Sequence, residues 1–377
     1  MKRLLFLILP IWISSNLSAQ DFSYRGYVKH LSALNSASNF NPIYYNGIVH
    51  HRLETTTKFS NDLTIKADFR NRLFYGYSVD DSGFYAQLLS QDGGWLDLTF
   101  VPFESNQLIF QSVIDRLQLN WNHNNFDITL GRQRINWGKS FVWSPNDLFN
   151  NFAFLDFDYE ERPGSDAVSF VWSYDFASNI QFAFKPADET KDLVFAGLWR
   201  TNIEPISYDI QLLIGSYRQD FLVGGGWSGY LKNAGFSGEF SVFNPFENNA
   251  VLSFSSGIDY QFSDGPYVRI EGLYNGSYSD ATANGVNLFQ PPSPKNLFPS
   301  RQAVYFTSSF ALTPLVQAGL GVLSSMDAKL HAFLPQISYS VSQNIDFLVV
   351  AQVFSGDLFD GFESQKQTVF FRFKWSY

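Results

Sequence analysis

The segment Phe126–Gly138, FDITLGRQRINWG, decides the fold. Its first half alternates, with Phe126, Ile128 and Leu130 on one face and Asp127, Thr129 and Gly131 on the other. That two-residue period belongs to a β-strand with one apolar and one polar face. The second half sets Arg132, Gln133, Arg134, Asn136 and Trp137 between Gly131 and Gly138, and the alternation breaks. A glycine inside a strand often marks a bulge, so the register over Gly131–Gly138 stays open at this level.

The same period recurs on both sides of this segment, from Phe22 to the last residue, with turn signals between the repeats. Leu63–Tyr77 is the cleanest case. Leu63, Ile65, Ala67, Phe69, Leu73 and Tyr75 share one face, and Thr64, Lys66, Asp68, Arg70 and Arg72 share the other. Asn71 interrupts the apolar face. Counted this way the chain predicts about 18 strands, or 16 if two of the weaker segments are loop hairpins. Short connections such as Ser60–Asp62, Asn122–Asn125 and Ser342–Asn344 alternate with long ones such as Ser78–Gln111, Lys139–Gly164 and Ser279–Arg301. This is the pattern of an antiparallel up-and-down transmembrane β-barrel, with short turns at the periplasmic rim and long loops outside.

Composition points the same way. Aromatic residues make up 18% of the 377 residues, and charged residues only 16%. Mean hydropathy is nevertheless −0.11. A soluble domain carries about 25% charge on its surface. Many aromatics, few charges and modest hydropathy fit strands that alternate between lipid and water. The net charge of −9 argues against nucleic acid as a partner. The absence of cysteine excludes thiol catalysis, cysteine zinc sites and disulfides.

The chain opens MKRLLFLILPIWISSNLSAQ, a basic start, an apolar run and a small residue at Ala19, which predicts a signal peptide over 1–19 and a barrel over 20–377. It ends TVFFRFKWSY, with Val369, Phe371, Phe373, Trp375 and Tyr377 alternating against Arg372, Lys374 and Ser376. An aromatic terminal strand of this kind resembles those that outer-membrane barrels present to the barrel-assembly machinery. In a soluble sheet it would be an exposed hydrophobic edge, which native proteins avoid. The expected location is the outer membrane of a Gram-negative-type bacterium, with its lipid bilayer as partner.

Leu130-Gly131-Arg132-Gln133 with Trp137-Gly138, followed by the Glu160–Ala167 stretch EERPGSDA, resembles outer-membrane porins of the alginate-export type. The likeness is sharp over about Asp115–Ser173. It implies an 18-stranded monomeric barrel, and in exporters of that type a densely arginine-lined lumen passes a polyanion. This chain departs from the pattern, because its charge is acidic and its basic residues are unevenly spread.

With apolar faces toward lipid, the inward face of the first and last strands is mainly basic. Arg25, Lys29, Arg52, Lys66, Arg70, Arg72, Arg116, Arg372 and Lys374 form one wall once the barrel closes, with His50 and Glu54 among them. Arg132 and Arg134 join it if a bulge near Gly131 shifts the register. Asp209, Glu239 and Asp259 mark an acidic wall opposite, and the two walls together would set a transverse field. The aromatic segment Lys139–Gly164 is expected to fold into the lumen, because so many aromatics do not stay in water. Trp143, Phe154, Asp156, Asp158 and Glu160 are its constriction candidates.

Chemistry has little support. The five histidines form no triad or HExxH, and there is no GxSxG or P-loop. No cofactor or metal is expected, and no enzymatic activity. The reading implies passive diffusion of small hydrophilic solutes, and the resemblance implies the alternative, export or assembly of an anionic polysaccharide.

Overall fold

The computed structural model describes residues 21–36, 42–79, 83–150, 162–247, 249–278, 293–327, 330–356 and 366–377. The predicted signal segment lies outside them, as do Phe154, Asp156, Asp158 and Glu160.

Strands form wherever the two-residue period was read. In chain order they are β1 Asp21–Ser36, β2 Ile43–Lys58, β3 Leu63–Gly76, β4 Thr99–Glu104, β5 Leu108–His123, β6 Phe126–Gln133, β7 Ser165–Asp175, β8 Ser178–Lys185, β9 Val194–Ile203 and β10 Tyr208–Tyr217. There follow β11 Asp220–Leu231, β12 Ala234–Phe243, β13 Val251–Gln261, β14 Tyr267–Asn275, β15 Gln302–Thr313, β16 Val316–Ser325, β17 His331–Ser342, β18 Ile345–Ser355 and β19 Lys366–Ser376. Eighteen of them, all but β4, close an antiparallel barrel. Closure is made by β1 on β19, from Tyr27 opposite Ser376 to Ser36 opposite Gln367. The ring leaves no open edge, so backbone polar groups are satisfied inside lipid.

The burial pattern inverts that of a soluble sheet. Phe195, Leu212, Ile214, Ile270, Ile337, Phe373 and Trp375 are exposed, while Lys29, Arg52, Gln211, Glu239 and Glu271 are buried. Apolar outside and polar inside is the arrangement of a membrane-spanning barrel. Below, the rim that carries Asp21 and Tyr377 is the near rim, and the opposite one the far rim.

The predicted irregular stretch Ser78–Gln111 holds more structure than expected. It contains a short helix α1, Phe84–Leu89, then β4 and the first residues of β5. One edge of β5 is taken by β3 over Leu108–Trp121. Its other edge is shared, with β6 along Leu117–His123 and β4 at Ile109–Val113. β4 therefore fills the wall where β6 stops, and the chain after Gln133 is released into the barrel. At Gly131, φ is +111°, and a Cβ there would strike the Leu117 carbonyl, so the turn-in needs glycine.

The bulge expected at Gly131 lies elsewhere. β6 pairs with β5 and β7 in unbroken register. The shift falls on β5, where Asp68 faces Arg116 and Phe69 faces Ile114, leaving Asp115 as the extra residue. Two neighbouring charged residues cannot both point inward from a regular strand, and the bulge lets both be buried.

The interior is not uniformly polar, as the alternation alone suggested. Ala183, Ala196, Leu198, Leu213, Leu222 and Phe243 point inward from β8 to β12 and are covered by Ile135, Trp137, Leu148 and Phe149 of the infolded segment. A second group joins Val142 and Trp143 to Leu273, Phe298, Ala303, Leu323, Leu330 and Ala332. Each large side chain so covered contributes about 1.5–3 kcal/mol.

One polar seam crosses the lipid face. Asn71, the exception in the apolar row of β3, donates to His51 Nδ1 at 3.2 Å and accepts from Ser112 Oγ at 2.8 Å. His51 Nε2 lies 2.8 Å from the Tyr377 hydroxyl. The seam satisfies itself, which keeps the cost of polar groups in hydrocarbon low.

Candidate functional site

The infolded segment starts at Arg134 and is held by the far wall through its own backbone. Glu239 on β12 is fully buried and accepts N–H bonds from Lys139 at 3.2 Å, Ser140 at 2.9 Å and Asn146 at 3.2 Å. Glu271 on β14, also fully buried, accepts from Phe141, Val142 and Trp143, each at 2.9 Å. Two carboxylates thus take up six backbone donors of a segment with no sheet partner, which meets the demand that buried N–H groups be paired.

Side chains complete the seat. Trp137 Nε1 donates to Gln181 on β8 at 2.7 Å, and Gln211 on β10 donates to the Trp137 carbonyl at 2.7 Å. Asn146 donates to the Gly225 carbonyl at 2.9 Å, and Ser140 and Ser255 share a 2.7 Å contact. The segment closes on itself where Asn150 accepts from the Ile135 N–H at 2.7 Å and Arg162 meets Asp147 at 2.5 Å. Burial pushes the Asp147 carboxyl up despite the Arg162 charge and the Asn150 N–H.

The predicted acidic wall is therefore not an open carboxylate face. Glu239 anchors the loop, Asp259 is paired with Arg269 at 2.8 Å, and Asp209 lies 3.7 Å from Lys139. Arg269 also reaches Glu271 at 3.1 Å. Of the three carboxylates, Glu239 is taken up by loop N–H groups, and Asp259 and Asp209 lie beside Arg269 and Lys139.

The first wall is basic but interleaved with acid. Arg52, buried, holds Glu54 at 2.9 Å, Asp68 at 3.0 Å and Asp115 at 2.6 Å. Arg70 reaches the other oxygen of Asp115 at 3.1 Å, and Arg25 reaches Glu54 at 2.6 Å. Arg116 donates to the Arg162 carbonyl at 2.5 Å, joining this wall to the loop. Arg72 donates to Gln111 at 3.0 Å. Lys29 and Lys374 lie over the Tyr27 ring, at 5.7 and 4.3 Å from its centroid. Lys66 and Arg134 are exposed to the interior space, and Arg372 is half-buried.

Arg132 is buried between Asp166 on β7, at 2.8 Å, and Asp92, at 2.9 Å. Asp92 also accepts from the N–H groups of Gly94 at 2.7 Å and Leu98 at 2.9 Å. Burial raises its carboxyl, but the Arg132 hydrogen bond and charge and these N–H groups outweigh it and hold it below the usual range.

Two large charged cavities result, beside a smaller one of about 450 Å³ next to Asn136 and Trp137. One, about 870 Å³, opens toward the near rim and is lined by Arg25, Arg52, Lys66, Asp68, Arg116 and Arg134 among others. The other, about 730 Å³, opens toward the far rim beside Arg70, Arg72, Asp92, Asp115, Arg132 and Lys185. The Arg52–Asp115–Arg70 bridge stands between them.

Sequence reasoning missed Asp115, Glu271, Asp92 and Arg162. Adjacent Asp115 and Arg116 in an otherwise alternating strand were the available signal for the first. Glu271, two residues from Arg269 on the inward face of β14, was the signal for the second.

No protein-family model matches the chain, and no curated protein matches it either. Among solved structures it is similar to OccAB4 of Acinetobacter baumannii, with a TM-score of 0.56 and 9% identity over 96% of this chain and 100% of that one. OccK7 (OpdD) of Pseudomonas aeruginosa gives 0.56 and 8% over 95% and 99%. OccK8 (OprE) of the same organism gives 0.56 and 8% over 95% and 98%. These likenesses establish a large bacterial outer-membrane barrel fold, without placing the chain in the alginate-export type.

Proposed function

We propose that this barrel is an outer-membrane channel for passive diffusion of small hydrophilic solutes. The observation that carries the reading is the pair of charged cavities, one toward each rim, with the Arg52–Asp115–Arg70 bridge between them and an infolded loop beside it. A loop clamped by two buried carboxylates is a fixed narrowing, which limits solute size. Charged linings at such a narrowing set selectivity. Arg25, Lys66, Arg72, Arg116 and Arg134 are the side chains we assign to the solute path on the basic side, with Trp143 behind the narrowing.

Export of an anionic polymer is the second reading. The near-rim cavity favours it, since Arg25, Arg52, Lys58, Lys66, Arg116 and Arg134 outnumber Glu54, Asp68 and Asp127 there. The paired carboxylates along the wall weigh against a continuous cationic track. Delivery through the barrel-assembly machinery by β19 is part of the proposal.

Liposome swelling separates the two. Diffusion of small uncharged sugars with a sharp size limit supports the first. Exclusion of all such sugars by folded protein in the liposome overturns it.

A further inference from the structure

We propose that Asp115 is a tethered counter-ion that sets ion selectivity at the Arg52–Asp115–Arg70 bridge; the proposal rests on the channel reading and deepens it.

The first ground is backbone geometry. The register shift on β5 leaves Asp115 without a partner residue on β3. Ile114 keeps its place opposite Phe69, and Arg116 keeps its place opposite Asp68. One inserted residue therefore sends a carboxylate into the interior without displacing the arginine beside it. Without the bulge, the alternation would turn Asp115 or Arg116 to the lipid side.

The second ground is position. Asp115 spans two arginines that belong to different cavities. Its Oδ2 is 2.6 Å from Arg52, which lines the near-rim space, and its Oδ1 is 3.1 Å from Arg70, which lines the far-rim space. Asp115 itself borders the far-rim space. The bridge therefore stands between the two spaces.

The third ground is the local charge count. Among the described residues, Arg25, Arg52 and Arg70 are linked to Glu54, Asp68 and Asp115, with Arg116 beside Asp115. The carboxylates offset much of the arginine charge here, while the near-rim cavity has a cationic excess. Removing the Asp115 charge raises the positive charge at the bridge by one. An anion can then occupy the place of the missing carboxylate between Arg52 and Arg70.

The test is the reversal potential of single channels in a salt gradient, for wild type, Asp115→Asn, Asp115→Glu and Asp264→Asn. Asp264 is exposed in the turn between β13 and β14, outside both cavities. The expected result is an anion-to-cation permeability ratio about threefold higher for Asp115→Asn, the scale for one full charge lost a few Å from the ion path in water. Asp115→Glu and Asp264→Asn are expected to match wild type. An unchanged ratio in folded, conducting Asp115→Asn overturns the proposal, as does an equal rise in Asp264→Asn. Should Asp115→Asn not fold, Arg70→Gln serves in its place, with a shift toward cations expected and no shift overturning the proposal. Absence of any current from wild type is a different outcome, because it removes the channel reading itself.

Discussion

Arg52 Nη1 stands 2.6 Å from Asp115 Oδ2, although their strands, β2 and β5, are separated by β3. The same guanidinium also holds Glu54 and Asp68, so three carboxylates converge on one buried cation. Taking the cation away removes their shared partner and leaves Glu54 with Arg25 and Asp115 with Arg70. Arg52→Gln is expected to destabilise the barrel by about 3 kcal/mol, as when one partner of a buried ionic group is removed. Urea unfolding in vesicles, followed by tryptophan fluorescence, measures it. A cost under about 1 kcal/mol, the scale of an exposed pair, would contradict the network's role.

The loop should depend on its two carboxylate clamps. Glu271→Ala removes the acceptor for three backbone N–H groups at once. Charge-assisted bonds contribute about 1.5–3 kcal/mol each, so the segment around Trp143 should detach locally while the barrel holds. Limited proteolysis is expected to cut within residues 139–146 in the variant and not in wild type. Equal resistance in both would show that the apolar contacts of Val142 and Trp143 hold the segment without Glu271.

The outer seam offers a double test. Asn71→Leu alone strands His51 Nδ1 and Ser112 Oγ in the lipid face and should cost about 1–3 kcal/mol. The quadruple change His51→Leu, Asn71→Leu, Ser112→Ala, Tyr377→Phe removes all these polar groups together and should be close to neutral. The same unfolding experiment reads both. A quadruple variant less stable than the single one would show that the seam does more than satisfy itself.

Acid should act on the Asp92 contact. Its folded-state carboxyl titrates below the unfolded value of about 3.9, so its stabilisation is complete above that value and is lost as pH falls through the lower, folded-state one. Hydrogen exchange at Gly94 and Leu98, whose N–H groups it accepts, should rise in that acid window relative to the base rate. Asp92→Asn should show the raised exchange at neutral pH as well. Protection unchanged from pH 7 to pH 2 would contradict the assignment.

The barrel was legible because its physics is local. Alternation such as Leu63 to Tyr75 marks a strand with lipid on one side, and the turns mark its ends, so the count of eighteen followed. The lumen was less legible because it is set by contacts far apart in the chain. Arg52, Lys29 and Arg70 could be placed inward by parity. Nothing in β12 said that Glu239 accepts from Ser140, nearly 100 residues earlier. Parity also fails where one residue is inserted, so Asp115 escaped the reading, and the glycine that suggested a bulge marks the point where the chain turns inward. The apolar inner patch at Leu213, Leu222 and Phe243 broke the polar-lumen rule because a loop, not water, covers it.

The most direct test of the account is single-channel conductance of refolded protein in a planar bilayer under a salt gradient. Stable, ohmic steps, with a reversal potential that moves when the Asp115 charge is removed, are the predicted result. Properly folded, heat-modifiable protein that passes no current would contradict it.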